Sequence, residues 1–214
     1  MAIINGTIFN DNNTVNGSPL ILHPALDGSA SSDILNGNAG NDILNGNGGS
    51  DILNGNGGND ILNGNGGSDI LNGNGGSDIL NGGVGSDSLN GGVGSDILTG
   101  GAGTDSLTGG LGNDVFDFNS VSDSPSGLLR DVITDFVGNG IFAGDQINLS
   151  TIDANSTIGG NQAFTFIGSG AFSAPGQVRY SGGILQASND GDLSAEFEIQ
   201  IKGAPPLVAS DIIL

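Results

Sequence analysis

Asp51-Ile52-Leu53-Asn54-Gly55-Asn56-Gly57-Gly58-Asn59-Asp60-Ile61-Leu62-Asn63-Gly64-Asn65-Gly66-Gly67-Ser68 is one nine-residue phrase written twice. The register extends in both directions from residue 28 to residue 117. It places aspartate at Asp33, Asp42, Asp51, Asp60, Asp69, Asp78, Asp87, Asp96, Asp105 and Asp114 without an insertion. Each repeat is counted from its first glycine (Gly28, Gly37, Gly46 and onward). Position two is then Asn or Gly, position four Gly, position five small and polar, position six Asp, position eight large and apolar, and position nine polar. Only the first repeat, Gly28-Ser-Ala-Ser-Ser-Asp33, lacks glycine-type residues at positions two and four. Positions one to six are too rich in glycine for helix or strand, and glycine supplies the positive-φ conformations of a tight loop. Asn at position two keeps that option, since it tolerates the left-handed region. Positions seven to nine predict a minimal strand. Two loops and two strands close one turn of eighteen residues, so loops two repeats apart stack at roughly 4.8 Å.

That stacking predicts two columns of carboxylates. Asp33, Asp51, Asp69, Asp87 and Asp105 form one, and Asp42, Asp60, Asp78, Asp96 and Asp114 the other. Like charges ~5 Å apart repel by roughly 1 kcal/mol even in water. A hard divalent cation between successive loops removes the conflict, because Ca²⁺ takes oxygens from carboxylates and carbonyls alike. Five loops per column leave four gaps, hence up to about eight Ca²⁺ in all. The first loop is expected to hold the weakest site or none. A plain flexible linker would not keep leucine at position eight, as Leu35, Leu44, Leu53, Leu62, Leu71, Leu80, Leu89, Leu98 and Leu107 do before Phe116. Those side chains are expected to fill a narrow interior between two sheets.

The phrase Gly82-Gly83-Val84-Gly85-Ser86-Asp87-Ser88-Leu89-Asn90 resembles the calcium-binding nonapeptide of RTX (hemolysin-type) repeat proteins, whose fold is a parallel β-roll. The expected fold class is therefore all-β, a two-sheet solenoid followed by a C-terminal antiparallel β-sandwich. The expected boundaries are 1–27 for an N-terminal cap, 28–117 for the roll and 118–214 for a C-terminal domain.

Composition narrows the partners. The formal charge is −20, from 23 acidic and 3 basic residues. This disfavours nucleic acid and anionic membrane. About eight bound Ca²⁺ would reduce the charge to about −4, and without calcium the block is expected to be expanded. There is no cysteine, so disulfides and thiolate metal sites are excluded. The start, Met1 to Ile8, lacks the basic region and apolar core of a cleavable signal. No stretch has the length of a membrane span.

Short apolar runs at Ile3-Ile4, Thr7-Ile8-Phe9 and Leu20-Ile21-Leu22 predict one or two strands covering the first turn, an end that repeat proteins must cap. His23, the single histidine, reads as a turn residue before Pro24. Position seven should point outward. On one sheet it reads Ile43, Ile61, Ile79, Ile97, Val115, and on the other Ile34, Ile52, Ile70, Ser88, Ser106. The unbroken β-branched stripe is expected to be partly covered by the N-terminal segment, the C-terminal domain or a second copy. Position nine, mostly Asn, is expected to form amide ladders.

Past Asp117 the register stops and phenylalanine becomes frequent. Strand signals recur at 131–136, 146–149, 163–167, 177–180, 184–186 and 196–202, the last with Phe197, Ile199 and Ile201 inward. Residues 109–214 are similar to the C-terminal domain of serralysin-type secreted metalloproteases. The resemblance lies in Gly112-Asn-Asp-Val-Phe-Asp-Phe118, Asp131-Val-Ile-Thr-Asp-Phe136, Gly144-Asp-Gln-Ile-Asn-Leu-Ser150, Asn161 to Gly168, Ala195-Glu-Phe-Glu-Ile199 and Ala209-Ser-Asp-Ile-Ile-Leu214. It implies a β-roll joined to a β-sandwich. It also implies export by a type I secretion machine that reads an uncleaved C-terminal signal ending in an acidic residue and apolar residues, which Asp211-Ile212-Ile213-Leu214 fits. The family's H-E-x-x-H zinc helix has no counterpart here. Asp190, Asp192 and Glu196 are weighed as one further calcium loop against solvated carboxylates, and Asp131 and Asp135 as ligands at the end of the roll.

The function read from the sequence is a secreted, extracellular, non-enzymatic calcium-binding domain that folds on binding Ca²⁺. Two other classes stand beside it. One is the non-catalytic tail or subunit of a secreted metalloprotease or polysaccharide epimerase. The other is a surface module for adhesion or ice binding.

Overall fold

The computed structural model describes residues 2–6, 25–138 and 144–214. The apolar runs at 7–9 and 20–22, and His23, lie outside these residues. Described strands are β1 (Ile3–Asn5), β2 (Leu26–Asp27), β3 (Ile34–Ala39), β4 (Ile43–Asn45), β5 (Ile52–Gly57), β6 (Ile61–Gly66), β7 (Ile70–Gly75), β8 (Ile79–Gly85), β9 (Ser88–Val93), β10 (Ile97–Gly103), β11 (Ser106–Leu111) and β12 (Val115–Asp117). After the repeats come β13 (Asp131–Ile133), β14 (Gln146–Asn148), β15 (Thr165–Phe166), β16 (Gln177–Ser181), β17 (Ile184–Ser188), β18 (Phe197–Ile201) and β19 (Ile212–Ile213).

Odd and even repeats separate into two sheets. One runs β1-β3-β5-β7-β9-β11-β13-β18-β17-β16-β15, the other β19-β14-β12-β10-β8-β6-β4-β2. Pairing within the repeats is parallel with an eighteen-residue offset, as in Ile52↔Ile70 and Ile61↔Ile79. This is the parallel roll expected from the register. Most strands run longer than three residues, continuing through positions one to three, with Asn56↔Asn74 and Gly57↔Gly75 also paired. Identical loops stacked at strand spacing exchange backbone hydrogen bonds although position two has φ of 72° to 79° at its asparagines.

The leucines at position eight are fully buried, from Leu35 to Leu107, and Phe116 continues the file. Position nine forms the expected ladders. Asn54 Nδ2 donates to Asn36 Oδ1 at 2.9 Å, and Asn72 Nδ2 to Asn54 Oδ1 at 2.9 Å. On the other sheet Asn81 donates to Asn63 and Asn63 to Asn45, each at 2.9 Å. Position five is polar for a related reason. Ser68 N–H donates to Ser50 Oγ at 3.2 Å and Ser77 N–H to Asn59 Oδ1 at 2.9 Å, tying loop to loop.

At the N-terminal end, β1 pairs with β3 and β2 with β4, both parallel. The outward stripe is open along part of its length. Ile79 and Ile97 stand 38 % and 40 % exposed, so neither the described N-terminal residues nor the C-terminal strands shield them.

The C-terminal strands do not form a separate pair of sheets. β13 and then β18 extend one sheet in parallel, and β14 and then β19 extend the other. Among the described strands only β16–β17–β18 is antiparallel. The physical reason is that the last full turn leaves two open parallel edges and an uncovered apolar end. Phe118, Phe136 and Phe197 fill that end, Phe118 lying edge-on to Phe197 with ring centroids 5.3 Å apart. Phe197, Ile199 and Ile201 point inward as their alternation predicts. Glu198, expected in solvent, is buried instead. It pairs with Arg130 and accepts from Gly127 N–H and Gln186 Nε2.

Candidate metal centre

Each repeat loop is built so that its aspartate turns inward. All ten repeat aspartates are buried, none more than 3 % exposed. From Asp51 to Asp114, one oxygen of each has a backbone partner in the loop below. The N–H of Asp33 donates to Asp51 Oδ1 at 2.7 Å, Asp51 to Asp69 at 2.7 Å, Asp69 to Asp87 at 2.8 Å and Asp87 to Asp105 at 2.7 Å. The second column repeats this through Asp42, Asp60, Asp78, Asp96 and Asp114, at 2.7–2.9 Å. Within each predicted column, successive aspartates are therefore neighbours in space.

The other oxygen, Oδ2, is buried without a hydrogen-bond partner at Asp51, Asp60, Asp69, Asp78, Asp87, Asp96, Asp105 and Asp114. A buried polar atom left unpaired costs about 1–3 kcal/mol, and more when charged. The surroundings are arranged around it. A Cβ added at Gly82 would stand 2.5 Å from Asp87 Oδ2 and 2.6 Å from the Gly100 carbonyl; at Gly64 the distances to Asp69 Oδ2 and the Gly82 carbonyl are 2.4 Å and 2.7 Å. Position one is thus glycine so that carboxylate and stacked carbonyl can share one small space. Oxygen-only donors, closed to water, suit a bare hard cation. Ca²⁺ binds such oxygens at about 2.3–2.6 Å, closer than a water molecule fits.

Burial also governs the protonation of these groups. Removal from water pushes Asp60 and Asp105 up to about 7 and Asp87 and Asp96 up to about 6. The backbone N–H each accepts works against the rise, and the neighbouring aspartate adds to it. Asp51, Asp69, Asp78 and Asp114 move the same way for the same first cause. Asp33 moves the opposite way. Ala2 N–H holds its Oδ1 at 2.6 Å, while Ser29 N–H and Oγ hold its Oδ2 at 2.7 Å and 2.8 Å. These donors lower its pKa and leave no oxygen of Asp33 unpaired.

The columns run beyond the nonapeptides. Asp105 N–H donates to Asp131 Oδ1 at 2.7 Å, and Asp114 N–H to Asp145 Oδ1 at 3.0 Å. Asp131 Oδ2 is buried and unpaired, and burial raises this group to about 8, with Asp105 and Asp123 adding to the rise. Asp145 rises to about 6 by burial, but its Oδ2 accepts Val137 N–H at 2.8 Å. Asp145 stands above only within the Gly144–Ser150 stretch and not among the expected ligands. Its signal was Asp145-Gln-Ile147, an Asp two residues before a buried apolar side chain, as in every repeat. Asp135, weighed as a ligand, instead accepts Gly109 and Gly110 N–H at 3.0 Å and 2.8 Å.

Asp190, Asp192 and Glu196 do converge, with one oxygen of each within 4.8 Å of the others. The loop satisfies them from within. Asp192 N–H donates to Asp190, Ser194 N–H to Asp192, and Ser194 Oγ and Asn189 N–H to Glu196.

Comparison with known proteins bears on the ladder. The RTX calcium-binding nonapeptide repeat family matches the chain in four copies, at residues 27–62, 54–89, 81–116 and 90–124. The ladder is thus a block of RTX calcium-binding nonapeptide repeats. No curated protein matches the chain. Among solved structures it is similar to the AlgE6R3 subunit of the Azotobacter vinelandii mannuronan C5-epimerase, solved in solution. Identity is 25 %, coverage is 94 % of this chain and 84 % of that one, and the TM-score is 0.41.

Proposed function

We propose that this chain, with its RTX calcium-binding repeats, is a secreted non-catalytic module whose roll folds as Ca²⁺ fills the two aspartate columns. The observation that carries this reading is the row of buried, unpaired Oδ2 atoms facing stacked carbonyls. The ligands would be the aspartates from Asp42 to Asp114, extended by Asp131, each with glycine carbonyls of the adjoining turn. Bound calcium would supply the positive charge that lets the carboxylates stay ionised while buried. Loops dominated by carbonyls belong near the weak end of the affinity range, about 10⁻⁴–10⁻³ M. They would stay empty at cytosolic calcium and fill outside the cell, so that binding free energy becomes folding free energy.

Export through a type I machine is part of the same proposal. The tail that would be read, Asp211-Ile212-Ile213-Leu214, pairs with β14 through β19, and Ile212 is only 6 % exposed. It would be legible before folding and hidden afterwards. The test is a calorimetric Ca²⁺ titration with circular dichroism followed in parallel. About eight ions bound together with a gain of β structure is the expected result. Equal β content in calcium and in chelator would end the proposal.

A further inference from the structure

An asparagine followed by glycine is prone to lose its side-chain amide, because glycine has no side chain to hinder closure of a five-membered imide. The repeat block holds this dipeptide seven times at positions nine and one, from Asn36 to Asn90, and four times at positions two and three, at Asn47, Asn56, Asn65 and Asn74. The fold treats the two sets differently. At position nine the amides of Asn36, Asn45, Asn54 and Asn63 are held on both sides, as Asn54 donates to Asn36 and accepts from Asn72 at 2.9 Å each, while Asn72 and Asn81 are held through their donors. The following glycine nitrogen is held in both sets, Gly46 N–H by the Asn63 carbonyl at 2.8 Å and Gly66 N–H by the Asn47 carbonyl at 3.0 Å, so the contrast lies in the side chains. At position two the asparagines are exposed, with φ of 72° to 75°. Each is tethered by a single side-chain bond, such as Asn56 Nδ2 to Asn54 O at 3.2 Å. Asn90 is the exception in the first set. It is exposed and makes no side-chain hydrogen bond among the described residues.

We propose that Asn47, Asn56, Asn65, Asn74 and Asn90 are sites of spontaneous deamidation in the folded roll, and that the laddered asparagines react only when the roll is unfolded. In the step at Asn56, the Gly57 backbone nitrogen gives up its proton and bonds to Asn56 Cγ. The bond from Cγ to Nδ2 breaks and ammonia leaves. Water then opens the imide at either carbonyl, giving aspartate or isoaspartate. Each event adds a carboxylate beside the cation loops. Isoaspartate also lengthens the main chain by one carbon, which breaks the nine-residue register. Chains that fail to fold collect this damage at both positions and lose the ability to fold later.

The contrast between positions exists within one folded sample and stands without the calcium reading, and only the chelator arm rests on calcium-coupled folding. The test incubates the full chain with excess calcium and, separately, with chelator. Cleavage at aspartate then releases one nonapeptide per repeat, and tandem fragment masses tell position two from position nine, the identical peptides 42–50, 60–68 and 69–77 being read together. In calcium the laddered asparagines should react about tenfold or more slowly than those at position two, since they need local opening. In chelator the two sets should react alike. Gly57→Val supplies the control. Its Cβ would meet only the Asn38 carbonyl, at 3.8 Å, and Val84 and Val93 already occupy that position in later repeats. This variant keeps peptide 51–59 distinct in mass and should slow Asn56 while the shared peptide of 42–50, 60–68 and 69–77 reacts as before. Asn54 reacting as fast as Asn56 in calcium, or an unchanged rate at Asn56 in Gly57→Val, would overturn the proposal.

Discussion

A single carboxylate shows why the repeat spends so many residues on glycine. Asp87 Oδ1 is used by Asp69 N–H, and Oδ2 is free to face a cation. Asp87→Asn keeps an acceptor for that N–H but removes the charge and places a donor where an oxygen is needed. It should lower the calorimetric stoichiometry by about one ion while leaving the roll foldable in high calcium. Asp33→Asn should leave the stoichiometry unchanged, since both Asp33 oxygens serve protein donors. Gly82→Ala is expected to be severe. Its Cβ would meet Asp87 Oδ2 and a backbone carbonyl that cannot turn away, a strain of about 1–3 kcal/mol, read as a lower urea midpoint in calcium. The repeat aspartates were legible because they recur every nine residues without an insertion. Asp131 and Asp145 were harder to see because they follow Asp105 and Asp114 by 26 and 31 residues. Chain connectivity had looped out while spatial register held.

Between strands, two kinds of file hold the roll: leucines inside and asparagines outside. Leu71 is fully buried between neighbouring turns, so Leu71→Ala should cost about 2–5 kcal/mol, the usual toll of a core cavity. Asn63 donates to Asn45 and accepts from Asn81. It is half-exposed, so Asn63→Ala should cost about 1 kcal/mol. Urea denaturation at fixed calcium separates the two, and an equal loss would mean that the outer ladder matters as much as the core. Both files were readable from the sequence, since side chains in a strand alternate. The length of the strands was not. Glycine-rich stretches carry no strand signal of their own, and Gly57 pairs with Gly75 only because an identical loop lies beside it. The C-terminal sheet was read correctly in its strands and alternation. Its continuity with the roll was not legible, because β18 joins β13 across more than sixty residues of intervening chain. Glu198 followed the same rule. Only the fold brings Arg130 to it.

Taken together, a chain of net charge −20 that buries its acids in columns must neutralise them by cations or by protons. The second route makes a prediction that separates charge from calcium chemistry. Asp60, Asp87, Asp96, Asp105 and Asp131 have folded pKa values raised to between about 6 and 8, against an ordinary 3.8. Raised values mean that the folded state binds more protons than the unfolded chain in the interval between the two. Stability of the metal-free roll is therefore fully present below about pH 4 and is lost as pH rises through about 6 to 8. The lowered values of Asp33 and Asp192 act in the opposite sense, but these are two groups against many. In chelator, circular dichroism should show β structure appearing as the solution is acidified from about pH 8 to about pH 5. Calcium affinity should fall across the same interval, because cation and proton compete for the same Oδ2. A chelated chain that stays unfolded throughout would show that protons cannot replace the cation, so that coordination, and not charge removal alone, closes the roll.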